Sequence, residues 1–169
     1  MTTFDLRSLR IRSGEEHREA KEIELPALEL GGQRYIPVPE RVEAELVVTR
    51  ASTGTLFELR FDVRLHGPCV RCLADAVLDV PIRAREYQAT NPGDADELTT
   101  PYLEDDVLDL SAWARDVLVL ALPDQILCRP DCAGLCPVCG RDLNVEPHEH
   151  EEPNTDPRWA ALEALREKL

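Results

Sequence analysis

A chain of 169 residues is long enough for one domain that buries about 70% of its unfolded surface, so disulfide staples are not needed for stability. Its 33 acidic against 19 basic residues leave a formal charge of −14, which disfavours indiscriminate binding to nucleic-acid backbone or anionic membrane. The opening MTTFDLRSLRIRSG has charges with no apolar run behind them, and no stretch approaches the roughly 18 apolar residues of a membrane span; the expected setting is cytoplasmic, with no membrane partner.

Taken in chain order, Phe4, Leu6, Leu9 and Ile11 are spaced for an opening strand, and the charged segment Gly14–Lys21 follows. Gly31-Gly32, Pro26, Pro37 and Pro39 mark turns. From Arg41 to Gln88 the pattern becomes strand-like: Val42, Ala44, Leu46 and Val48 alternate, as do Leu59, Phe61, Val63 and Leu65. A third run, Ala76 to Ile82, leads into Arg83-Ala84-Arg85-Glu86-Tyr87. Between the second and third runs lies His66-Gly67-Pro68-Cys69-Val70-Arg71-Cys72, which puts a Cys-x-x-Cys pair at the tip of a predicted antiparallel hairpin over 56–87.

With Leu59, Phe61, Val63 and Leu65 inward, Arg60, Asp62, Arg64 and His66 point outward, and Arg83 and Arg85 share one face of the next strand. Arg71, Arg129 and Arg141 sit beside cysteines. The bland reading of these arginines is cross-strand pairing with the abundant carboxylates. The functional reading is a phosphate footprint, with Arg60, Arg64, Arg71, Arg83 and Arg85 as the RNA-contacting set. The acidic runs from Glu86 to Asp109 and from Asp142 to Asp156 read as solvated loops, with an acidic surface that shields a basic protein as the alternative.

The segment 109–122 is the predicted main helix. Leu110, Trp113, Ala114, Val117, Leu118 and Ala121 follow helical spacing, Asp109 or Ser111 can cap its start, and Pro123 ends it. A cysteine-rich segment, 128–140, comes next. Asp156 and Pro157 then open a short terminal helix striped by Trp159, Leu162 and Leu165, after an acidic linker whose His148 and His150 are expected to be solvent-exposed.

The six cysteines form three close pairs: Cys69 with Cys72, Cys128 with Cys132, and Cys136 with Cys139. Zinc takes four thiolates tetrahedrally, and a Cys-x-x-Cys bite brings two sulfurs to one ion; structural zinc is the expected cofactor. In Cys136-Pro137-Val138-Cys139-Gly140 the proline stiffens the knuckle and the glycine supplies a positive φ after the second ligand. Two ligand sets are open. One is local, using Cys128, Cys132, Cys136 and Cys139; the other brings Cys69 and Cys72 across the fold to a later pair, tying metal binding to folding. The spacing Cys132-x-x-x-Cys136-x-x-Cys139 also occurs in radical iron–sulfur enzymes, but those need a large barrel and a nucleotide-binding glycine motif that this chain lacks.

No phosphate loop, nucleophile elbow or histidine–glutamate zinc-protease signature is present, and neither Cys-x-x-Cys pair opens a helix after a strand as a redox pair would. The expected protein is therefore not an enzyme and takes no small-molecule substrate.

Cys69-Val70-Arg71-Cys72-Leu73, the helix ending Leu118-Val119-Leu120-Ala121-Leu122-Pro123, and Leu127 followed by CRPDCAGLCPVCGRDLN together resemble the YceD-like proteins. That resemblance implies a role in accumulation of large-subunit ribosomal RNA and no known enzymatic activity. It also implies that Cys69, Cys72, Cys128 and Cys132 are the stronger metal quartet, because members keep the last pair less completely. The expected architecture is α+β: an antiparallel sheet packed by one main helix, with a zinc-binding cysteine-rich segment, in a single domain over 1–144, then an acidic linker and short helix over 145–169. The expected partner is the precursor large ribosomal subunit, met through ribosomal RNA or a basic ribosomal protein. A thiol-based redox or zinc-sensing protein is the alternative.

Overall fold

The computed structural model describes residues 1–91, 93 and 98–150. In chain order the strands are β1 (Thr3–Asp5), β2 (Glu16–Glu24), β3 (Leu28–Leu30), β4 (Gln33–Val38), β5 (Arg41–Arg50), β6 (Gly54–Pro68), β7 (Asp75–Ala89), β8 (Leu103–Glu104) and β9 (Val107–Asp109); the helix α1 (Leu110–Leu120) follows. All strand pairs are antiparallel. The antiparallel sheet and the one main helix agree with the sequence reading, but α+β overstates the helical share. Among the described residues the helix has 11 residues, whereas β6 and β7 have 15 each, so the described part is β-rich. Among the described residues no helix is long and apolar enough to cross a membrane.

Strand β6 organises the larger sheet. Along one edge it pairs with β7 over its whole length, from Gly54↔Ala89 to Pro68↔Asp75. Its other edge is shared, first by β5 (Thr55 to Arg60) and then by β4 (Arg64 to His66). Alternation does the sorting, since one face must be apolar to bury against a core. Leu59, Phe61, Val63 and Leu65 of β6 and Val42, Ala44, Leu46 and Val48 of β5 are all buried, joined by Ala76, Val80 and Ile82 of β7. The helix lays Leu110, Trp113, Ala114 and Leu118 on this core and packs against β1, β2 and β7. Asp109 is its cap, its carboxylate accepting from the Ala112 N–H at 3.0 Å, while the Ser111 hydroxyl instead accepts from the Thr2 N–H at 2.7 Å.

Three local expectations are corrected. The opening strand stops at Asp5, because Leu6–Ser8 turn into a short 3-10 helix capped by the Asp5 side chain. The charged segment Gly14–Lys21 is largely strand: β2 pairs with β5 from Glu16↔Thr49 to Glu24↔Arg41. Its half-buried face carries His17, Glu19 and Lys21, linked by a His17–Glu19 contact at 3.2 Å and a Lys21–Glu19 ion pair at 2.6 Å, with the Lys21 ammonium 5.4 Å from the centre of the Phe4 ring. Aliphatic stems fill the core edge while the charges pair at its rim, which hides the alternation from a hydrophobic count. Pro37 is not in a turn but in β4 opposite Leu65, beyond the stretch that β3 covers, where one edge is open and no N–H is required. The expected terminal helix after Asp156 lies outside the described residues.

At the far end of β6, Gly67 lies under the Tyr35 ring, and a side chain there would collide with it. Tyr35 is buried and its hydroxyl donates to the Pro68 carbonyl at 2.9 Å, which holds the hairpin end down on β4. Gly67→Ala should therefore cost about 1–3 kcal/mol through overpacking, read as a lower urea midpoint with an unchanged slope.

Candidate metal centre

The β6–β7 hairpin closes through Cys69–Ala74. Within it the Cys69 N–H donates to the Ala74 carbonyl at 2.7 Å and the Leu73 N–H to the Cys69 carbonyl at 3.0 Å. Leu73 takes φ of 62°, a left-handed conformation that a leucine adopts only at a cost. The turn folds both thiols inward, and Cys69 and Cys72 are buried.

After α1 the chain crosses beneath this tip. Val70 N–H donates to the Ile126 carbonyl at 3.0 Å, and Leu135 N–H donates to the Arg71 carbonyl at 3.0 Å. Gly134, with φ of 80°, makes the second approach possible: a β-carbon there would sit 3.1 Å from the Arg71 carbonyl oxygen. Arg71 returns the contact, its guanidinium donating to the Cys132 carbonyl and to the Gln125 side chain, each at 3.0 Å. The 128–135 stretch is thus bound to the hairpin tip by backbone and side chain together.

This docking gathers the thiols of Cys69, Cys72, Cys128 and Cys132, whose sulfurs all lie within 4.8 Å of one another. Cys69 and Cys132 are 3.8 Å apart, and Cys72 and Cys128 are 3.6 Å apart. A tetrahedron with metal–sulfur bonds of about 2.3 Å has edges of about 3.8 Å, a length these two separations approach. All four are free thiols. Cys136 and Cys139 lie instead with His148 and His150, so the fold gathers the thiols of the cross-chain set and not those of the local one.

Four thiols this close cannot all ionise unaided. Burial opposes ionisation of Cys69, but the N–H groups of Cys128, Cys72 and Arg71 together outweigh it and bring its thiol down to about 6. The Ala74 N–H favours the Cys72 thiolate, yet burial and the sulfurs of Cys132 and Cys69 carry the net shift upward. Loss of hydration, then the sulfurs of Cys72, Cys132 and Cys69, push Cys128 up to about 12. The Cys69 anion is favoured, while those of Cys72 and Cys128 are suppressed. A dication at the centre reverses that balance.

Asn144 is the residue that motif reading missed. Its side-chain oxygen accepts from Arg129 and from the Ala133 N–H, each at 2.7 Å, and its nitrogen donates to Asp142 at 2.6 Å and toward the Cys132 sulfur at 3.5 Å. The only sequence signal is the Asp142-x-Asn144 spacing, which suits a local side-chain-to-backbone turn. The arginines of the sheet face are all engaged. Arg60 pairs with Glu45 and Glu58, Arg64 with Asp79, Arg83 with Asp62, and Arg85 with Glu58.

The geometry defines a β-rich protein whose hairpin tip and post-helix segment meet in a four-thiol cluster. Residues 57–166 match the family described as large ribosomal RNA subunit accumulation protein YceD. The chain belongs to that family, as its cysteine blocks lead one to expect. An uncharacterized protein of Mycobacterium tuberculosis is 36% identical over 126 residues, covering 72% of this chain and 60% of the relative. One from Mycobacterium leprae is 33% identical over 149 residues, covering 77% and 67%. The uncharacterized protein YlbN of Bacillus subtilis is 26% identical over 166 residues, covering 97% and 94%. The chain thus spans 60% of the length of the first of these relatives. No solved structure matches the chain.

Asn144→Ala removes the acceptor for the Ala133 N–H and loosens the segment carrying Cys128 and Cys132. The expected loss is local, about 1–3 kcal/mol, and is checked as faster amide exchange at Ala133 with little change in the central strands.

Proposed function

We propose that the chain is a non-enzymatic factor for accumulation of large-subunit ribosomal RNA, in which zinc held by Cys69, Cys72, Cys128 and Cys132 clamps the hairpin tip to the post-helix segment. The observation that supports this most directly is the tetrahedral spacing of sulfurs from two segments more than fifty residues apart in sequence. Four protein ligands leave no open position for chemistry, which makes the ion structural. A redox couple needs one pair of thiols, whereas four are gathered here from two segments, which favours the clamp over the thiol-redox alternative.

The family's printed description supplies the ribosomal setting. The charge of −14 points the contact toward a basic ribosomal protein of the precursor large subunit. Precursor ribosomal RNA remains the second partner class, with Arg60, Arg64, Arg71, Arg83 and Arg85 as its proposed contacts. Each of these already holds an acceptor within the protein, so RNA would have to displace carboxylates to reach the sheet face.

Cys72→Ser should cost the protein about one zinc per chain by elemental analysis and lower its melting temperature by about 10 °C, several kcal/mol of lost clamp at ~3 °C per kcal/mol. In cells depleted of the native protein, the same variant should fail to restore the ratio of large- to small-subunit ribosomal RNA. Unchanged metal content would remove the clamp; full restoration by a metal-free variant would separate the clamp from the function.

Zinc uptake should release protons. At pH 7 a thiol with pKa of about 6 is mostly ionised already, whereas Cys72 and Cys128 are held protonated and must give up their protons to bind. Affinity should therefore rise with pH across the neutral range and collapse on acidification, as measured by competition with a chelator at a series of pH values.

A further inference from the structure

A second cluster stands beyond the first. The cysteines left out of the quartet, Cys136 and Cys139, are joined by His148 and His150, and the ligand atoms of all four lie within 4.8 Å of one another. The Cys139 sulfur is 3.1 Å from the His148 Nε2. The two imidazoles meet edge to face with centroids 4.9 Å apart. The expectation that these histidines are solvent-exposed members of an acidic linker is thereby corrected for His148, which is half-buried against the cysteine knuckle.

The surroundings are built as a ligand shell is built. Cys136 N–H donates to the Arg141 carbonyl at 2.8 Å and Gly140 N–H returns to the Cys136 carbonyl at 2.8 Å, closing a tight loop with Gly140 at φ of 73°. Leu135 and Asp142 bridge across its base. The loop turns the N–H groups of Cys139 and Val138 toward the Cys136 sulfur, an arrangement that favours its thiolate. His148 Nδ1 lies 2.7 Å from the Glu146 carbonyl. A carbonyl can only accept, so Nδ1 carries a proton, and it is Nε2 that faces the Cys139 sulfur and would be the ligand atom of the neutral ring. A backbone carbonyl that fixes the tautomer from behind is the usual support of a metal-bound histidine.

We propose that Cys136, Cys139, His148 and His150 form a second structural zinc site, independent of the four-thiol centre, which folds the chain from Pro147 to His150 back onto the cysteine knuckle. Two thiolates and two imidazoles around a closed position suit zinc in tetrahedral geometry. The site goes beyond the clamp proposed above: it joins residues close in sequence, and it shares no ligand with the hairpin tip.

The test is metal stoichiometry on the full chain, purified without a histidine tag and dialysed against a weak chelator. The expected result is two zinc ions per chain in the native protein and one in the double variant His148→Ala, His150→Ala, with the remaining ion still lost on Cys72→Ser. Cobalt substitution gives a second readout in the folded protein. His148→Cys should keep two ions and move part of the visible cobalt spectrum toward the pattern of a more sulfur-rich site. A native protein holding one zinc that Cys72→Ser removes would overturn the second site and leave the first standing. So would a double variant with native metal content, or a cobalt spectrum that His148→Cys leaves unaltered.

Discussion

The continuous antiparallel register between β6 and β7 is the constraint on which the rest of the molecule depends. It runs unbroken from Gly54↔Ala89 to Pro68↔Asp75, and its period of two decides which side chains meet the core. A slip of one residue would turn Leu59, Phe61, Val63 and Leu65 to solvent. The same register fixes where the hairpin ends, and so where Cys69 and Cys72 stand relative to Ile126 and Leu135. Tyr35, seated over Gly67, adds a steric lock at the point where the sheet gives way to the turn.

The tip built this way is incomplete on its own. Cys69 and Cys72 supply half of the thiol cluster, and Cys132, buried with them in the hydrophobic core, joins it from across the fold. Bringing these segments together costs loop entropy. The hydrogen bonds of Val70 and Arg71 to the later segment contribute, but each is worth only about 1 kcal/mol. The crowding of thiols adds a further cost, visible in the suppressed ionisation of Cys72 and Cys128. On the zinc reading, a single ion converts that repulsion into attraction, and binding free energy becomes folding free energy.

Much of the central sheet was legible because its alternation is strict: each apolar residue picked out from the two long runs of β5 and β6 is buried. The helix was legible for the same reason at its own period, and the cap at Asp109 could be narrowed to two residues. What escaped was structure whose signal is not hydrophobic. In β2 the half-buried positions are His17, Glu19 and Lys21, which count as polar in any pattern yet line the core edge with their stems. The turn between β8 and β9 hides within an acidic run, where Asp105 and Asp106 take φ of 49° and 62° and so form a hairpin rather than a loop. At the metal centre, spacing could name the cysteines but not partition them. The partition depends on Gly134 passing close to Arg71 and on Asn144 tying Ala133 to Asp142, neither of which a ligand motif contains.

The charge distribution bears on the proposed partner class. Ion pairs on the sheet face give each arginine a carboxylate, and Glu58, held by both Arg60 and Arg85, is the most enclosed of these carboxylates. Exposed pairs of this kind add little to stability, but they cancel the field that RNA backbone would respond to. What is left is the uncompensated acid of a chain with charge −14. A surface of that sign repels phosphate and attracts the lysine- and arginine-rich segments of a protein, and the attraction weakens with salt. On the proposed reading the family's link to ribosomal RNA is therefore indirect. The RNA would accumulate because a basic protein reaches it in good order, and the rigid tip would serve to present the acidic face rather than to read nucleotides.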